Sequence, residues 1–217
     1  MATFDTVLFD LDGTFADTAP DLGAALNRVL AEEGRPTVPH EVFRPHTSAG
    51  TRGMLGIGFG ITPAHPDYPA LAERFLAHYT AALCVGTKLF DGMEELLEGL
   101  ESRGHAWGIV TNKPERYTLP LMAALGYTAR AACIVSGDSA PRPKPEPDLL
   151  FLACRLAQRE PARCLYVGDD LRDIQAGRAA GMRTVAVTWG YMGTGLPVEA
   201  WGADVILDHP LEILELV

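Results

Sequence analysis

Apolar positions along the chain alternate between two patterns. Six short stretches are apolar on nearly consecutive positions: Thr6 to Leu11, Ala106 to Thr111, Ala131 to Ser136, Arg163 to Gly168, Thr184 to Thr188 and Asp204 to Leu207. Continuous apolar runs of this length predict strands of a parallel sheet whose two faces are both covered. Between them the spacing is helical. "FDGMEELLEGLESRG" places Met93, Leu96, Leu97 and Leu100 on one face, with Asp91 as the expected N-cap and Gly104 as the stop. "KPERYTLPLMAALG" and "DLRDIQAGRAAG" end in the same way on Gly126 and Gly181, and Pro120 is expected to kink the first of them or delay its start. Alternation of strand and helix predicts an open α/β sheet with right-handed crossovers.

One region departs from this rhythm. From about Asp17 to about Val85 only amphipathic helices are legible, of which "DLGAALNRVLAEEG" and "YPALAERFLAHYTAAL" are the clearest. The chain therefore divides into a sheet unit, 1–16 with 86–217, and an inserted helical unit, 17–85, with Gly86 suited to a hinge. At 217 residues, 47% hydrophobic and 21% charged, the chain can bury a full core. A formal net charge of −10 with scattered Lys and Arg argues against nucleic acid and against an anionic membrane surface, while leaving room for a small anionic substrate. No apolar run approaches a membrane span, and no basic segment precedes an apolar stretch near Met1, so neither membrane insertion nor a secretory leader is expected. Cys84, Cys133, Cys154 and Cys164 form no C-x-x-C pair, and free thiols in a reducing cytoplasm are expected.

Ligands of open α/β sheets gather at the carboxyl ends of the strands. The first strand ends in "FDLDGT", with Asp10 and Asp12 one residue apart; "GIVTNKP" ends in Thr111 and Asn112. The loop "GDSAPRPKPEP" carries Lys144 at the mouth of a helix, and "CLYVGDDLRD" delivers Asp169 and Asp170, with Asp173 a helical turn further on. Singly, each has an ordinary explanation: an Asp before a helix is usually an N-cap, Thr-Asn a turn, and Lys between prolines a solvated side chain. Together, at one sheet edge, they supply a nucleophile, an anion clamp, a compensating cation and a carboxylate cage. "GIGFG" (Gly56 to Gly60) lacks G-x-G-x-x-G spacing and follows no strand, so a turn is expected there; the six histidines show no zinc-ligand spacing.

"DLDGT", "TNKP", the Lys144 loop and "GDDLRD" resemble, in order and context, the four signature motifs of the haloacid dehalogenase superfamily of phosphatases. The resemblance spans the chain and implies a Rossmann-like core with an inserted all-helical cap. It implies Asp10 as the nucleophile that forms an aspartyl-phosphate, and Asp12 as the acid for the leaving alkoxide and then the base for water. It implies Mg2+ held by the carboxylates of Asp10 and Asp169 and the backbone carbonyl of Asp12. Asp170 or Asp173 would support that cage, and helical spacing favours Asp173. Thr111, the Asn112 N–H and Lys144 would bind the phosphoryl oxygens. Thr14 is expected to hold the loop, and Asp17 to cap the first helix of the insert.

The second aspartate suits an alkoxide leaving group and so a phosphatase rather than a dehalogenase. A phosphomutase shares all four motifs. A receiver-type signalling domain shares the Asp cluster, Thr and Lys but lacks the insert and the second aspartate. At family level the chain resembles the phosphoglycolate phosphatase group. "SAGTRGM", "KLFDGMEELL", "WGYM" and "WGADVILDHPLEI" are closer to the bacterial relatives that dephosphorylate N-acetylmuramic acid 6-phosphate. The expected substrate is a small carboxylate-bearing or sugar phosphate, with Arg52 of "HTSAGTRGML" the candidate contact from the cap, to a carboxylate or a sugar hydroxyl. A tight cap would favour phosphoglycolate, a roomier one the amino sugar.

Overall fold

The computed structural model describes residues 4–193 and 195–217. The chain enters through β1 (Thr6–Phe9) and a two-residue strand β2 (Ala16–Asp17). The insert follows as α1 (Ala19–Glu32), α2 (His40–Phe43), a 3-10 segment Arg44–Ala49, α3 (Gly50–Phe59) and α4 (Tyr68–Ala81). The chain returns through β3 (Lys88–Leu89), which pairs antiparallel with β2, Ala16 opposite Leu89. Strand and helix then alternate: α5 (Met93–Ser102), β4 (Ala106–Val110), α6 (Glu115–Leu125), β5 (Cys133–Val135), α7 (Asp148–Ala157), β6 (Cys164–Gly168), α8 (Leu171–Ala179), β7 (Arg183–Val187) and β8 (Val205–Leu207).

Six strands form one parallel sheet in the order β5-β4-β1-β6-β7-β8. From central β1 the chain builds outward to one side and then returns to build the other. The crevice of an open α/β sheet lies at such a reversal, beside the carboxyl end of β1. Register fixes what meets there: Phe9 lies opposite both Ile109 and Val167, so the residues following β1, β4 and β6 emerge level with one another.

Side chains alternate along each strand. Val7, Phe9, Leu165 and Val167 face the layer of α5 and α6, with Leu96, Leu100 and Leu121; Leu8, Cys164 and Tyr166 face α7 and α8, with Leu149, Leu150 and Ala176. The insert has its own apolar centre, where Leu26, Val29, Met54, Leu55 and Phe75 meet, joined by Tyr117 and Tyr191 from the sheet unit. Full burial of a side chain of this size contributes about 1.5–3 kcal/mol. The two units thus share an apolar seam.

Local details depart from expectation for physical reasons. α5 starts after Gly92, at φ 82°, rather than on an Asp91 cap. α6 begins before Pro120 and runs through it; the bond the proline forgoes is to the carbonyl of Arg116, in the exposed first turn. Thr18, not Asp17, is the N-cap residue of α1, although Asp17 Oδ1 still accepts from the Ala19 N–H at 3.3 Å. The return linker is tied to α1: buried Asp21 accepts from the N–H groups of Val85, Gly86 and Thr87 at 3.0, 2.8 and 2.8 Å. No helix among the described residues is long and apolar enough to cross a membrane.

Candidate active site

The carboxylates of Asp10, Asp169 and Asp173 converge, with one oxygen of each within 4.8 Å of the others. Gly13 permits this approach: at φ 90° it lies where a Cβ would fall 2.2 Å from Asp169 Oδ2. Lys144 answers part of the charge. Its buried ammonium donates to Asp10 Oδ1 at 2.8 Å, Asp173 Oδ1 at 2.6 Å, Tyr166 Oη at 2.8 Å and the Val110 carbonyl at 3.1 Å. Burial alone would lower the lysine pKa; Asp10 and Asp173 more than offset it and hold the ammonium charged.

Asp169 has no such partner among the described residues. There its oxygens accept from the Thr14 hydroxyl at 3.0 Å and the Tyr191 N–H at 2.8 Å. Burial, then the charges of Asp10 and Asp173, push its carboxyl well above the ordinary range. Burial also pushes Asp173 up to about 6, against the pull of Lys144. Three carboxylates and one ammonium leave the cluster short of positive charge, and its three converging ligand atoms are all carboxylate oxygens. The donor set fits a hard divalent cation.

Asp12 lies outside this triad. Its Oδ1 accepts from Thr18 Oγ1 at 2.5 Å and from Lys113 Nζ at 2.9 Å. Burial would lower the Lys113 ammonium, but the neighbouring Asp12 outweighs it and holds it charged. The same ammonium lies 4.8 Å from the centroid of the Tyr79 ring, on α4 of the insert. Thr111 is buried, and its hydroxyl accepts from the Lys113 N–H at 3.2 Å. The Asn112 side chain brackets the Lys144 backbone, donating to its carbonyl and accepting from its N–H at 2.9 Å each. Asn112 therefore also positions the lysine loop.

Asp170 and Asp173 separate as helical spacing favoured. Asp170 caps α8 and turns its carboxylate to Arg172, whose Nε and Nη2 both donate at 2.8 Å. Burial would raise the Asp170 carboxyl; the guanidinium reverses this and holds it low. Asp173 completes the capping box through the Asp170 N–H and reaches the triad with its other oxygen. Arg172 also donates to the Ser48 carbonyl at 3.0 Å, so the motif that forms the acid cluster also grips the insert. Arg52 is exposed on α3 and does not line the cavity, whereas the stretch before it, Thr47 to Thr51, does.

Three further side chains line or support the candidate site. Lys113 belongs to "TNKP", but nothing in one sequence says that it points back to Asp12. Tyr166 sat inside an apolar strand, where a tyrosine needs a hydroxyl partner, and that was the usable signal. Tyr191 joins the two units: its N–H serves Asp169, while its hydroxyl accepts from the Thr18 and Ala19 N–H groups at 2.7 and 2.8 Å. It satisfies backbone donors that open α1 without a partner within the helix.

The acid cluster opens onto a cavity of about 300 Å³ between the sheet edge and the insert. Asp10, Asp12, Thr111, Asn112 and Lys144 line its floor, and Leu22, Phe75, Leu76 and Tyr79 line its roof. A family model described as Haloacid dehalogenase-like hydrolase matches residues 7–187, from β1 through β7. The chain belongs to the haloacid dehalogenase-like hydrolase family. It is 44% identical over 211 residues to an N-acetylmuramic acid 6-phosphate phosphatase of Pseudomonas putida, covering 97% of this chain and 95% of that one. It is also 44% identical over 213 residues to a phosphoglycolate phosphatase of Xanthomonas campestris pv. campestris, covering 96% and 94%. The crystal structure of a predicted phosphoglycolate phosphatase from Haemophilus somnus superposes with a TM-score of 0.87 at 27% identity, over 100% of this chain and 99% of that one. This haloacid dehalogenase-like hydrolase is a phosphoric monoester hydrolase, and its carboxylate cluster lies where the family's parallel sheet exposes its strand ends.

Proposed function

We propose that the chain is a magnesium-dependent phosphomonoesterase acting on N-acetylmuramic acid 6-phosphate through an aspartyl-phosphate at Asp10. The observation that carries the substrate is the cavity: about 300 Å³, roofed by Leu22, Phe75, Leu76 and Tyr79. A phosphorylated amino sugar is several times the volume of a two-carbon phosphoester, and its ring and acetyl faces suit an apolar roof. The similarity to the Pseudomonas putida phosphatase supports the same substrate. A second reading, 2-phosphoglycolate, is supported by the equally identical Xanthomonas campestris relative.

In the proposed reaction Lys144, the Thr111 hydroxyl and the Asn112 N–H hold the phosphoryl oxygens. An Asp10 oxygen attacks phosphorus as the ester P–O bond breaks. Asp12, oriented by Thr18 and Lys113, would take up a proton as the anionic substrate binds and give it to the departing alkoxide. It then takes a proton from the water that attacks phosphorus, which releases phosphate and regenerates Asp10. Magnesium held by the carboxylates of Asp10 and Asp169 and the Asp12 carbonyl would neutralise charge on the cluster and the phosphoryl group. Asp173 supports the cluster through Lys144, and Asp170 anchors α8 and Arg172.

The test is phosphate release with magnesium present. The expected result is a kcat/KM for N-acetylmuramic acid 6-phosphate at least about tenfold above that for 2-phosphoglycolate, one lost contact or more. The reverse preference would move the chain to the second reading.

A further inference from the structure

Tyr79 carries a buried hydroxyl that meets no hydrogen-bond partner in proper geometry among the described residues, with the Lys113 ammonium beside its ring. The residue is 2% exposed in the last turn of α4 and lines the cavity, and its Oη has no hydrogen-bond partner. A buried unpaired hydroxyl is unfavourable, and a phenylalanine would fill the same space without it. Ser48 shares this state: its Oγ is buried, unpartnered and borders the same cavity. Ser136, the third such hydroxyl among the described residues, does not line it.

Both side chains are held in place. The Tyr79 ring packs against Tyr117 at 5.8 Å between centroids, and the Lys113 ammonium lies 4.8 Å from its own centroid. Ser48 is anchored through its carbonyl by Arg172 at 3.0 Å. Lys113 also relates Tyr79 to the acid of the proposed reaction. Its Nζ bonds Asp12 at 2.9 Å, and since that reading has Asp12 protonate the departing oxygen, Tyr79 is on the leaving-group side; Ser48 borders the same cavity.

We propose that the hydroxyls of Tyr79 and Ser48 form a leaving-group subsite that hydrogen-bonds the ring-hydroxyl or amide-carbonyl oxygens of a sugar-sized alcohol. The inference rests on the phosphatase reading above and names the residues that select its substrate. A two-carbon leaving group does not fill the cavity and leaves both hydroxyls to solvent; an amino sugar engages them.

The test compares wild type, Tyr79→Phe and Ser48→Ala on N-acetylmuramic acid 6-phosphate and acetyl phosphate, whose leaving group is short. Each substitution is expected to lower the ratio of the two kcat/KM values by about tenfold, the loss of one hydrogen bond. The Tm of Tyr79→Phe is expected to be no lower than that of wild type, because the hydroxyl removed has no well-formed hydrogen bond among the described residues. Unchanged ratios, with or without a fall in Tm, would overturn the proposal. If wild type cleaves 2-phosphoglycolate and not the amino-sugar phosphate, the substrate reading fails separately. The ratio is then taken between another sugar-sized ester, glucose 6-phosphate, and acetyl phosphate: a selective loss keeps the subsite, and an unchanged ratio removes it.

Discussion

Lys144→Ala is expected to destabilise the protein by about 3–5 kcal/mol, because it strands buried carboxylates that lose the cation bonded to them. Lys144 and Asp173 are almost fully buried and Asp10 nearly so, and the ammonium contacts both carboxylates within 2.8 Å. Against a typical stability of about 5–15 kcal/mol, a loss of that size is visible in any denaturation curve. Urea unfolding would show a large fall in midpoint. Adding Asp173→Asn to the variant is expected to recover part of it by removing one stranded charge. The pH dependence has a definite sign. Folding raises the lysine pKa above its ordinary 10.5, so the contribution is fully present below about that pH and is lost only as pH climbs through the higher folded value. An alanine variant with unchanged midpoint and turnover would remove Lys144 from the site.

Asp169→Asn is expected to act in the opposite direction on stability while abolishing turnover. The Asp169 carboxyl is buried and faces Asp10 and Asp173 with no cation of its own, which raises its pKa well above 3.8. A carboxyl whose folded pKa is raised leaves the metal-free protein less stable as pH rises from the unfolded value through the folded one. Neutral Asn lifts that penalty, at the cost of one acceptor for Thr14 or Tyr191. A net gain of about 1 kcal/mol is expected, in the range of other substitutions that relieve functional-site strain. The gain should vanish below about pH 3.8 and grow as pH rises toward the higher folded value. Thermal melts across pH, with and without magnesium, read both halves: magnesium should raise the Tm of wild type and leave that of Asp169→Asn unmoved. A variant that melts lower than wild type at neutral pH without metal would contradict this electrostatic account.

The parts legible in the sequence are those governed by local pattern. Continuous apolar runs located the six sheet strands, and the strand ends named Asp10, Asp12, Thr111, Asn112, Lys144, Asp169 and Asp173 because each follows its strand directly or by one loop. Helices α1 and α4 were legible from their amphipathic spacing. Long-range pairings were not. β2 and β3 are too short to show alternation, and they exist because two linkers meet. Lys113 reaches Asp12 across 101 positions of chain, and Tyr191 reaches Thr18 across 173, distances no local pattern spans. Arg52 was singled out for its charge, yet the residues that border the cavity beside it are Thr47, Ser48 and Thr51, selected by the turn of the chain rather than by chemistry.

The account stands most directly on a phosphoryl group passing through Asp10. Wild type and Asp10→Asn would be mixed with N-acetylmuramic acid 6-phosphate and magnesium, quenched in acid within the first turnovers, digested and mapped by mass spectrometry. The predicted result is transient phosphorylation of the peptide carrying Asp10 in wild type, and neither label nor phosphate release in Asp10→Asn. Steady phosphate release by Asp10→Asn, or a label on any other residue, would contradict it.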